Sequence, residues 1–425
     1  MTVDCSRMDF SLTSDQLLIR DTVRQFMETE MRPILREYDR TEKFPEAEIR
    51  RLGELGCCGM LIPEEYGGAG TDTVTYALML EEVARVDAST AVTLSVTNSV
   101  AAAPILKHGT DAQKQKYLPR LARGEILGAF CLTEPQAGSD AAGIQARAVR
   151  DGDSYVLNGT KSWVTNGGFC GVYVVFAKTD PAAGARGVTA FLVEPSAPGF
   201  RISRYEDKMG LRLSRSAEVV FDDCRVPAEN ILGAEGQGLK VAFGALDGGR
   251  VGIAAQSVGL AQGAMEAAAR YAKQRRAFGN PIADYQAIQW MLADMATEIA
   301  AARALTHYAA FLRDVELARD ADDARKGGVS TPPFQAANKA GALAPEASGP
   351  RSRVGPQAAR AKLYASEMAN RVCYRAVQIH GSVGYSRETD VERYYRDARV
   401  LTIYEGTSEM QRTVIARDLL RSGRV

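Results

Sequence analysis

Apolar residues in the first part of the chain, residues 10–125, recur at helical spacing. After the polar sequence Thr13-Ser14-Asp15-Gln16, apolar side chains follow at intervals close to 3.6 residues over 17–27. The glycine-rich segment 63–70 interrupts the pattern, which resumes over 76–84 and again over 111–122. We therefore predict a helical domain over residues 1–125, whose first helix begins with a capping box of Thr13 and Gln16.

The pattern changes to short β-rich runs over residues 126–237. Apolar, β-branched runs at 172–177, 188–193 and 218–221 are bounded by glycine, proline and aspartate. Asn158-Gly159 stands between two further runs, which predicts a hairpin with a type I′ turn. These features predict a small, mostly antiparallel β domain.

Helical spacing returns from residue 238 to the C-terminus at 425. The four long helical stretches, which predict a bundle, cover 239–273, 283–317, 358–380 and 409–420. The fold class is therefore α+β and mostly α, with an N-terminal helical domain, a middle antiparallel β domain and a C-terminal four-helix bundle.

One segment of the bundle region, 319–357, does not follow helical spacing. Five of the chain's 16 prolines fall there, among many glycine, alanine and serine residues. This composition predicts a flexible insert between two bundle helices. A partner-binding arm is the functional alternative.

Composition excludes several classes of protein. Lys plus Arg and Asp plus Glu both number 52, so the net charge is zero, which argues against a nucleic-acid binder. The three histidines are far apart in sequence, so we expect no histidine-rich metal site. Seven cysteines, an odd number without a CxxC pair, indicate a reducing compartment. With neither a signal peptide nor a run of 18 apolar residues, we expect a cytoplasmic protein without a membrane span.

Three stretches carry candidate chemistry, although the chain has no P-loop, no GxGxxG and no GxSxG motif. The first, 130–140, is a strand end that runs into a Gly-Ser-Asp turn. Such a turn offers N–H groups and hydroxyls to a phosphate or a polar cofactor edge, unless it is only a structural loop. The second, 161–168, places Trp163 two residues before Thr165. This pair suits a planar ring with polar edges, although a core tryptophan beside a turn threonine is the alternative.

The third stretch, 403–409, contains a candidate general base. Glu405 follows apolar Ile403 and Tyr404 and precedes Gly406, which leaves room for a close substrate. Burial of such a carboxylate raises its pKa toward the range that a general base needs. The alternative is a glutamate at a helix entry, with Thr407 as the cap of the next helix.

Taken together, the three stretches resemble the acyl-CoA dehydrogenase family. Residues 131–134, 137–140 and Gly143 resemble the family's first signature, and 378–381 and 404–407 resemble its C-terminal signatures. The resemblance covers residues 12–420 except for 319–357. Residues 95–99, 223–227 and 419–422 are most similar to the short-chain, butyryl-CoA members.

The resemblance implies an FAD-dependent α,β-dehydrogenation of an acyl-CoA, with electrons passed to an electron-transfer flavoprotein by a homotetramer. FAD would lie between the β domain and the bundle, and Glu405 would take the α-proton. The implied FAD contacts are Phe130, Leu132, Thr133, Ser139, Trp163, Val164, Thr165, Gln378, Gly381, Ser382, Thr407 and Glu409, with Arg275, Phe278 and Gln286 from a neighbouring subunit. The implied substrate contacts are Ser139, Asp247, Arg250, Tyr404 and Gly406.

Three positions distinguish this chain within the family pattern. Gln136 and Ser382 each replace a common glycine beside the expected cofactor. Some members carry the base on the helix near Asp247, but the corresponding position here is Gly249, which favours Glu405. An oxygen-using flavoenzyme of the same fold, either an oxidase or a monooxygenase, and a non-enzymatic assembly protein remain alternatives. Acyl length and branching stay open.

Overall fold

The computed structural model describes residues 11–326 and 354–422. The N-terminal part is helical, and its capping box is confirmed: Thr13 Oγ1 accepts from Gln16 N at 3.2 Å, and Gln16 Oε1 accepts from Thr13 N at 3.1 Å. Two π-helical segments, Met27–Met31 and Val96–Ala102, extend helices. The α-helices are α1 Ser14–Phe26, α2 Leu35–Thr41, α3 Glu46–Glu54, α4 Thr73–Val86, α5 Ala88–Ser95, α6 Ala103–His108 and α7 Asp111–Ala122.

Helix α5 and the segment that follows it have no solvent-exposed face, so alternation of apolar and polar positions does not mark them in the sequence. Nearly every side chain over 88–105 is buried. The stretch Ala88–His108 is long and apolar enough to cross a membrane, but 89% of its most apolar window is buried inside the protein. Its composition is therefore that of a helix enclosed by the folded chain.

The middle part is one seven-stranded sheet in the order β1-β4-β2-β3-β7-β6, with β5 also paired to β4. Pairing is antiparallel except for β1 with β4 and a single β2–β4 bridge. The strands are β1 Leu127–Cys131, β2 Arg147–Asp151, β3 Ser154–Thr165, β4 Cys170–Lys178, β5 Val188–Val193, β6 Phe200–Tyr205 and β7 Ser216–Pro227.

The predicted hairpin turn at Asn158-Gly159 is wrong. Both residues lie inside β3, and the turn joins β2 to β3 at residues 152–153, between the paired Asp151 and Ser154. Asn158 instead pairs with Asp223 of β7, where the register shifts near Gly159. The Asn-Gly pair therefore marks a β-bulge, a second structure in which glycine is favoured.

The C-terminal part contains the four predicted helices and one more. Helix α9 continues to Lys326 and α10 begins at Val354, so the prediction of a flexible insert over 319–357 is wrong at both ends; residues 327–353 lie outside the described residues. A small hairpin, β8 Arg276–Ala277 and β9 Asn280–Pro281, joins α8 to α9. The helices are α8 Gly238–Gln274, α9 Gln286–Lys326, α10 Val354–His380, α11 Asp390–Ala398 and α12 Ser408–Ser422. The predicted fold class is confirmed.

Helix α8 joins the N-terminal helices to the bundle. A Cβ on Gly259 would lie 2.1 Å from Glu81 O of α4, and one on Gly263 would lie 2.1 Å from Arg85 O. The missing side chains therefore let the two helices approach backbone to backbone. Buried Asp314 of α9 also accepts from Thr73 N at 2.9 Å, so it caps α4. The glycine contacts thus hold α8 against α4, and the Asp314 contact holds α9 against the start of the same helix.

The described cysteines form no disulfide. Six cysteines lie in the described ranges, and all are free, buried thiols. Among the described residues, no group of histidine, cysteine, aspartate and glutamate could hold a metal ion.

Candidate active site

The loop that carries Glu405 is held in an uncommon backbone conformation. Glu405 has φ +54° and Gly406 has φ +90°, both in the left-handed region. Two buried side chains bind the carbonyls of this loop: Gln411 Nε2 donates to Glu405 O at 3.1 Å and to Gly406 O at 2.9 Å, and Lys362 Nζ donates to Gly406 O at 2.8 Å. A non-glycine residue in this region is strained, and its surroundings must hold it there.

The carboxylate of Glu405 lies against α8 and has little to stabilise its charge. Its Oε2 is buried without a hydrogen-bond partner, and a Cβ on Gly249 would fall 2.3 Å from that atom. Burial raises the pKa of Glu405 to about 7, although the positive charges of Arg250 and Lys362 oppose the rise. Glu405 can therefore take up or release a proton near neutral pH.

The alternative interpretation of this loop, a glutamate at a helix entry with Thr407 as the cap, is correct for Thr407. Thr407 Oγ1 accepts from Met410 N at 3.3 Å, so Thr407 caps α12 as that alternative expected. Glu405 stands two residues earlier, outside the helix. The cap therefore fixes where α12 begins, while Glu405 stays available for chemistry.

A hydrogen bond links the loop of Glu405 to α8 about two helical turns after Gly249. Tyr404 Oη donates to Gln256 Oε1 at 2.6 Å, and Gln256 Nε2 donates to Ala88 O at 2.7 Å. Gln256 lies seven residues after Gly249 on the same face of α8, a rise of roughly 10 Å. Gln256 is fully buried and hydrogen-bonded at both ends of its side-chain amide.

Two of the expected substrate contacts, Asp247 and Arg250, lie on α8 next to Glu405. Arg250 Nη1 donates to Asp247 Oδ1 at 2.6 Å, while its buried Nε has no hydrogen-bond partner. The structure thus brings Asp247, Arg250 and the loop of Tyr404 to Gly406 together. Ser139 is exposed in the loop after β1.

The first two motifs meet through a buried ion pair. Lys161 Nζ donates to Glu134 Oε1 at 2.7 Å and to Leu132 O at 3.2 Å, and Ser162 N donates to Thr133 O at 2.9 Å. Burial alone would raise the pKa of Glu134, but the charge of Lys161 and hydrogen bonds from two backbone N–H groups hold that pKa below its usual value. The pair therefore fixes the 132–134 segment beside Trp163.

Trp163 is not a core residue, so that alternative is wrong. It has φ +59° and is 59% exposed, at the place where β3 shifts register. Thr133, Thr165 and Phe130 are half-buried. Thr165 lies two residues after Trp163, while Phe130 and Thr133 lie in β1 and in the loop after it, which the ion pair ties to β3. Val164 and Leu132 are buried, so only their backbone atoms are available to a ligand.

A cavity of about 340 Å³ opens at the start of α12. Its lining includes the expected cofactor contacts Thr407 and Glu409, and it adds Asn370 and Arg399. Ser408 Oγ, also in the lining, is buried without a hydrogen-bond partner. Hydroxyls, an amide and a guanidinium together form a polar site that suits a cofactor tail.

The remaining expected cofactor contacts are exposed and distant from Glu405. Arg275 follows α8, 25 residues after Arg250, which on a helix corresponds to roughly 37 Å. Phe278, which is 96% exposed, and Gln286 follow Arg275 in the chain, after the C-terminal end of α8. Gln378, Gly381 and Ser382 are exposed where α10 ends. One chain cannot bring Arg275 and Arg250 to one site around Glu405.

Sequence reasoning missed three buried residues that shape the site: Gln256, Lys362 and Gln411. A signal existed for Lys362, which is a lone lysine at an apolar position of an alanine-rich helix. No local pattern marks Gln256 as the partner of Tyr404, because the two are 148 residues apart.

Comparison with known proteins gives matches along nearly the whole chain. Family models match it over 13–125 (acyl-CoA dehydrogenase, N-terminal domain), 129–224 (middle domain), and 236–326 with 334–420 (C-terminal domain). A short-chain specific acyl-CoA dehydrogenase of Clostridium acetobutylicum is 42% identical over 414 residues, 97% of this chain and 100% of that protein.

Solved structures give the same result. The butyryl-CoA dehydrogenase of Megasphaera elsdenii has a TM-score of 0.86 and 43% identity, over 97% of this chain and 100% of that one. A structure reported with the electron transferring flavoprotein of Acidaminococcus fermentans has a TM-score of 0.86 and 44% identity, with the same coverage.

Proposed function

The chain belongs to the acyl-CoA dehydrogenase family and is an oxidoreductase that acts on the CH–CH bond of acyl-CoA thioesters; we propose that its substrates are short-chain acyl-CoAs and that Glu405 takes their α-proton. The observation that carries the proposal is the buried, unpartnered Oε2 of Glu405 in a fixed loop. A base with a pKa near the working pH transfers protons most efficiently.

In this proposal, activation of the α-proton would rest on the chain's own residues. A thioester carbonyl that accepts from the Glu405 backbone N–H would have its developing enolate stabilised by a fixed dipole. The loop carbonyls are held by Gln411 and Lys362, so this N–H does not need to reorganise during reaction. Arg250 supplies a positive charge that acts on the Glu405 carboxylate.

FAD is the cofactor of the family, and the residues present fit it. Exposed Trp163 offers an aromatic face, and the half-buried hydroxyls of Thr133 and Thr165 suit the polar edge of a flavin. The cavity at Thr407 contains the orphaned Ser408 hydroxyl and Arg399, which suit the rest of the cofactor. Bound FAD supplies the acceptor for the β-hydride.

Two further parts of the proposal concern acyl length and partners. The hydrogen-bonded Gln256, about two turns from Gly249, supports a short acyl group. The distance from Arg250 to Arg275 supports a second subunit at each FAD, as in a homotetramer. We further propose an electron-transfer flavoprotein as the electron acceptor, by analogy with the Acidaminococcus fermentans structure.

A substrate panel tests this function. The full-length, FAD-loaded chain is mixed without oxygen with C4 to C12 acyl-CoAs and with isobutyryl-, isovaleryl- and glutaryl-CoA. We expect the flavin absorbance to bleach fastest with butyryl-CoA, to return slowly in air and to return quickly with an electron-transfer flavoprotein. Fast peroxide formation would instead identify an oxidase, and no bleaching with any thioester would favour an assembly protein.

A further inference from the structure

Lys362 is a fully buried lysine directly beneath the catalytic loop. It lies on α10, its exposed fraction is 0%, and Nζ donates to Gly406 O at 2.8 Å. Placing an ammonium group in the protein interior is costly unless polar partners compensate. One backbone carbonyl is weak compensation, so the position calls for a further explanation.

The charge of Lys362 is not neutralised by a contacting carboxylate. In the parts of the chain that the structure describes, Lys362 forms no ion pair, whereas neighbouring Arg250 is paired with Asp247 at 2.6 Å. Burial lowers the pKa of Lys362 to about 8, and the negative charge of Glu405 is the strongest effect that opposes the decrease. Below that pH the ammonium is charged, and Glu405 is the carboxylate it acts on most.

We propose that Lys362 is a positioning residue for α-proton abstraction, which holds the Gly406 carbonyl and keeps a positive charge beside the carboxylate of Glu405. This inference rests on the proposed function of Glu405. The hydrogen bond keeps the left-handed loop in the conformation that aims the Glu405 N–H. The charge favours the ionised carboxylate, which is the form that takes a proton.

Gln411 shares the first role proposed for Lys362, a hydrogen bond to the loop, but not the second, a positive charge. It donates to the Glu405 and Gly406 carbonyls but carries no charge. Gln411 and Lys362 therefore both hold the loop in its conformation. The positive charge beside Glu405 comes from Lys362 and Arg250. A bound acyl group displaces water from the carboxylate, so these two cations gain influence when substrate is present.

The tyrosines that face Glu405 do not titrate between pH 6 and 8. Arg250 faces it from α8, Tyr76 from α4 and Tyr404 from the preceding position. Burial raises the pKa of Tyr76 to about 12 and that of Tyr404 well above its usual value, so both stay neutral at pH 6 to 8. Burial also raises the pKa of Asp314 and Asp397 to about 7 and raises that of Asp247, but in the described part of the chain no hydrogen bond or ion pair joins these carboxyls to Glu405 or Lys362. The difference between the wild-type profile and that of a Lys362 variant therefore reports on Glu405 and Lys362.

The first test is the pH profile of flavin reduction by butyryl-CoA, measured without oxygen. Lys362→Met removes donor and charge, Lys362→Gln keeps a donor, and Lys362→Arg keeps both. We expect Met and Gln to move the acidic limb upward by about one pH unit and to lower the maximal rate about tenfold at pH 7, mostly in kcat. Lys362→Arg should return the limb toward its wild-type position.

Lys208→Met is the matched control. Lys208 is another largely buried lysine, with its pKa lowered by burial to about 8, and it donates to a backbone carbonyl, that of Ser214, at 2.6 Å. We expect its loss to leave the acidic limb in place. An unmoved limb in both Lys362→Met and Lys362→Gln, or an equal shift in Lys208→Met, would overturn the proposal.

A second measurement needs no turnover and covers the case in which Lys362→Met does not fold. The folded pKa of Glu405 is above its unfolded value, so its ionisation destabilises the fold as pH rises from about 4.5 to about 7. We compare the thermal midpoints of two proteins that differ only in Glu405→Gln, once in the wild-type background and once in the Lys362→Gln background. The difference in midpoint should grow over that pH window and then level off. In the Lys362→Gln background the difference should level off at a higher pH than in wild type. If it levels off at the same pH, the role of Lys362 is refuted.

The two measurements also separate this proposal from the proposed function. A wild-type chain that binds FAD but is not reduced by any thioester contradicts the function. Even then, the pH at which the difference in thermal midpoint levels off still reports whether Lys362 lowers the pKa of Glu405.

Discussion

At the residue scale, Glu405 combines two conditions that ordinary residues avoid. Its backbone is left-handed at φ +54°, and its Oε2 is buried without a partner. Each condition costs stability, and each would serve the proposed function: the first aims the N–H, and the second raises the proton affinity of the carboxylate. Strain and burial at one residue are expected where chemistry needs them.

The first prediction concerns that carboxylate. Glu405→Gln should keep FAD bound but reduce the rate of flavin bleaching by butyryl-CoA at least about 10³-fold, because the amide cannot take the α-proton. Glu388→Gln, an exposed glutamate elsewhere in the bundle region, is the control and should react like wild type. Unchanged bleaching in Glu405→Gln would exclude Glu405 as the base.

The second prediction concerns the space beside it. Gly249→Ala would place a Cβ 2.3 Å from Glu405 Oε2, so the carboxylate must move. We expect at least about a tenfold loss in the bleaching rate with FAD retained, since small misplacements of a catalytic group are costly. Gly244→Ala on the same helix meets nothing within 4 Å and should keep full activity; equal losses in both variants would contradict the assignment.

At the scale of elements, one buried ion pair joins β3 to the loop after β1. Lys161 of β3 binds Glu134 and the Leu132 carbonyl, so the loop after β1 is tied to the strand that ends beside Trp163. Both charges are almost fully buried. Removal of one partner would leave the other uncompensated, which is worse than removal of both.

The third prediction follows from this asymmetry. Lys161→Met should lower the free energy of unfolding by about 3–5 kcal/mol and weaken FAD binding, whereas Lys161→Met with Glu134→Gln should recover part of the stability. Urea denaturation and flavin fluorescence of the released cofactor measure the two effects. A double variant less stable than the single variant would show that the pair does not act through its charges.

At the scale of the whole molecule, the three parts meet through buried polar contacts. Asp314 of the bundle accepts from both the N–H and the hydroxyl of Thr73, so it caps α4 of the N-terminal part. Burial raises the pKa of Asp314 to about 7, although the Thr73 hydrogen bonds oppose this. A contact between domains is therefore sensitive to protonation near neutral pH.

The fourth prediction is the resulting pH dependence of stability. The folded pKa of Asp314 is above the unfolded value of about 4, so the folded state holds this proton more tightly and loses stability as pH rises from about 4 to about 7. Asp314→Asn should flatten part of this decline in thermal midpoint between pH 5 and 8. Asp320→Asn, at the exposed pair with Lys107, should leave the slope unchanged. An identical slope in Asp314→Asn and wild type would exclude the contribution.

The sequence by itself determined the features that depend on neighbouring residues. Helical spacing and capping at Thr13, the β-rich middle part and the family motif around Glu405 all follow from residues close together in the chain. The same local signals could not distinguish a hairpin turn from a bulge at Asn158-Gly159, because glycine suits both. Nor could they show the helical ends of the 319–357 segment, where local composition favours a loop.

Only the tertiary structure decided how the candidate site is electrostatically built. Lys362 and Gln256 reach the catalytic loop from 44 and 148 residues away, and Gly249 matters because Glu405 packs against it. Burial and charge depend on what surrounds a group in space. The apolar neighbours of Glu405 in sequence favour a raised pKa, but a value near 7 depends on burial in three dimensions: it arises when α8, α10 and the loop that carries Glu405 enclose the carboxylate.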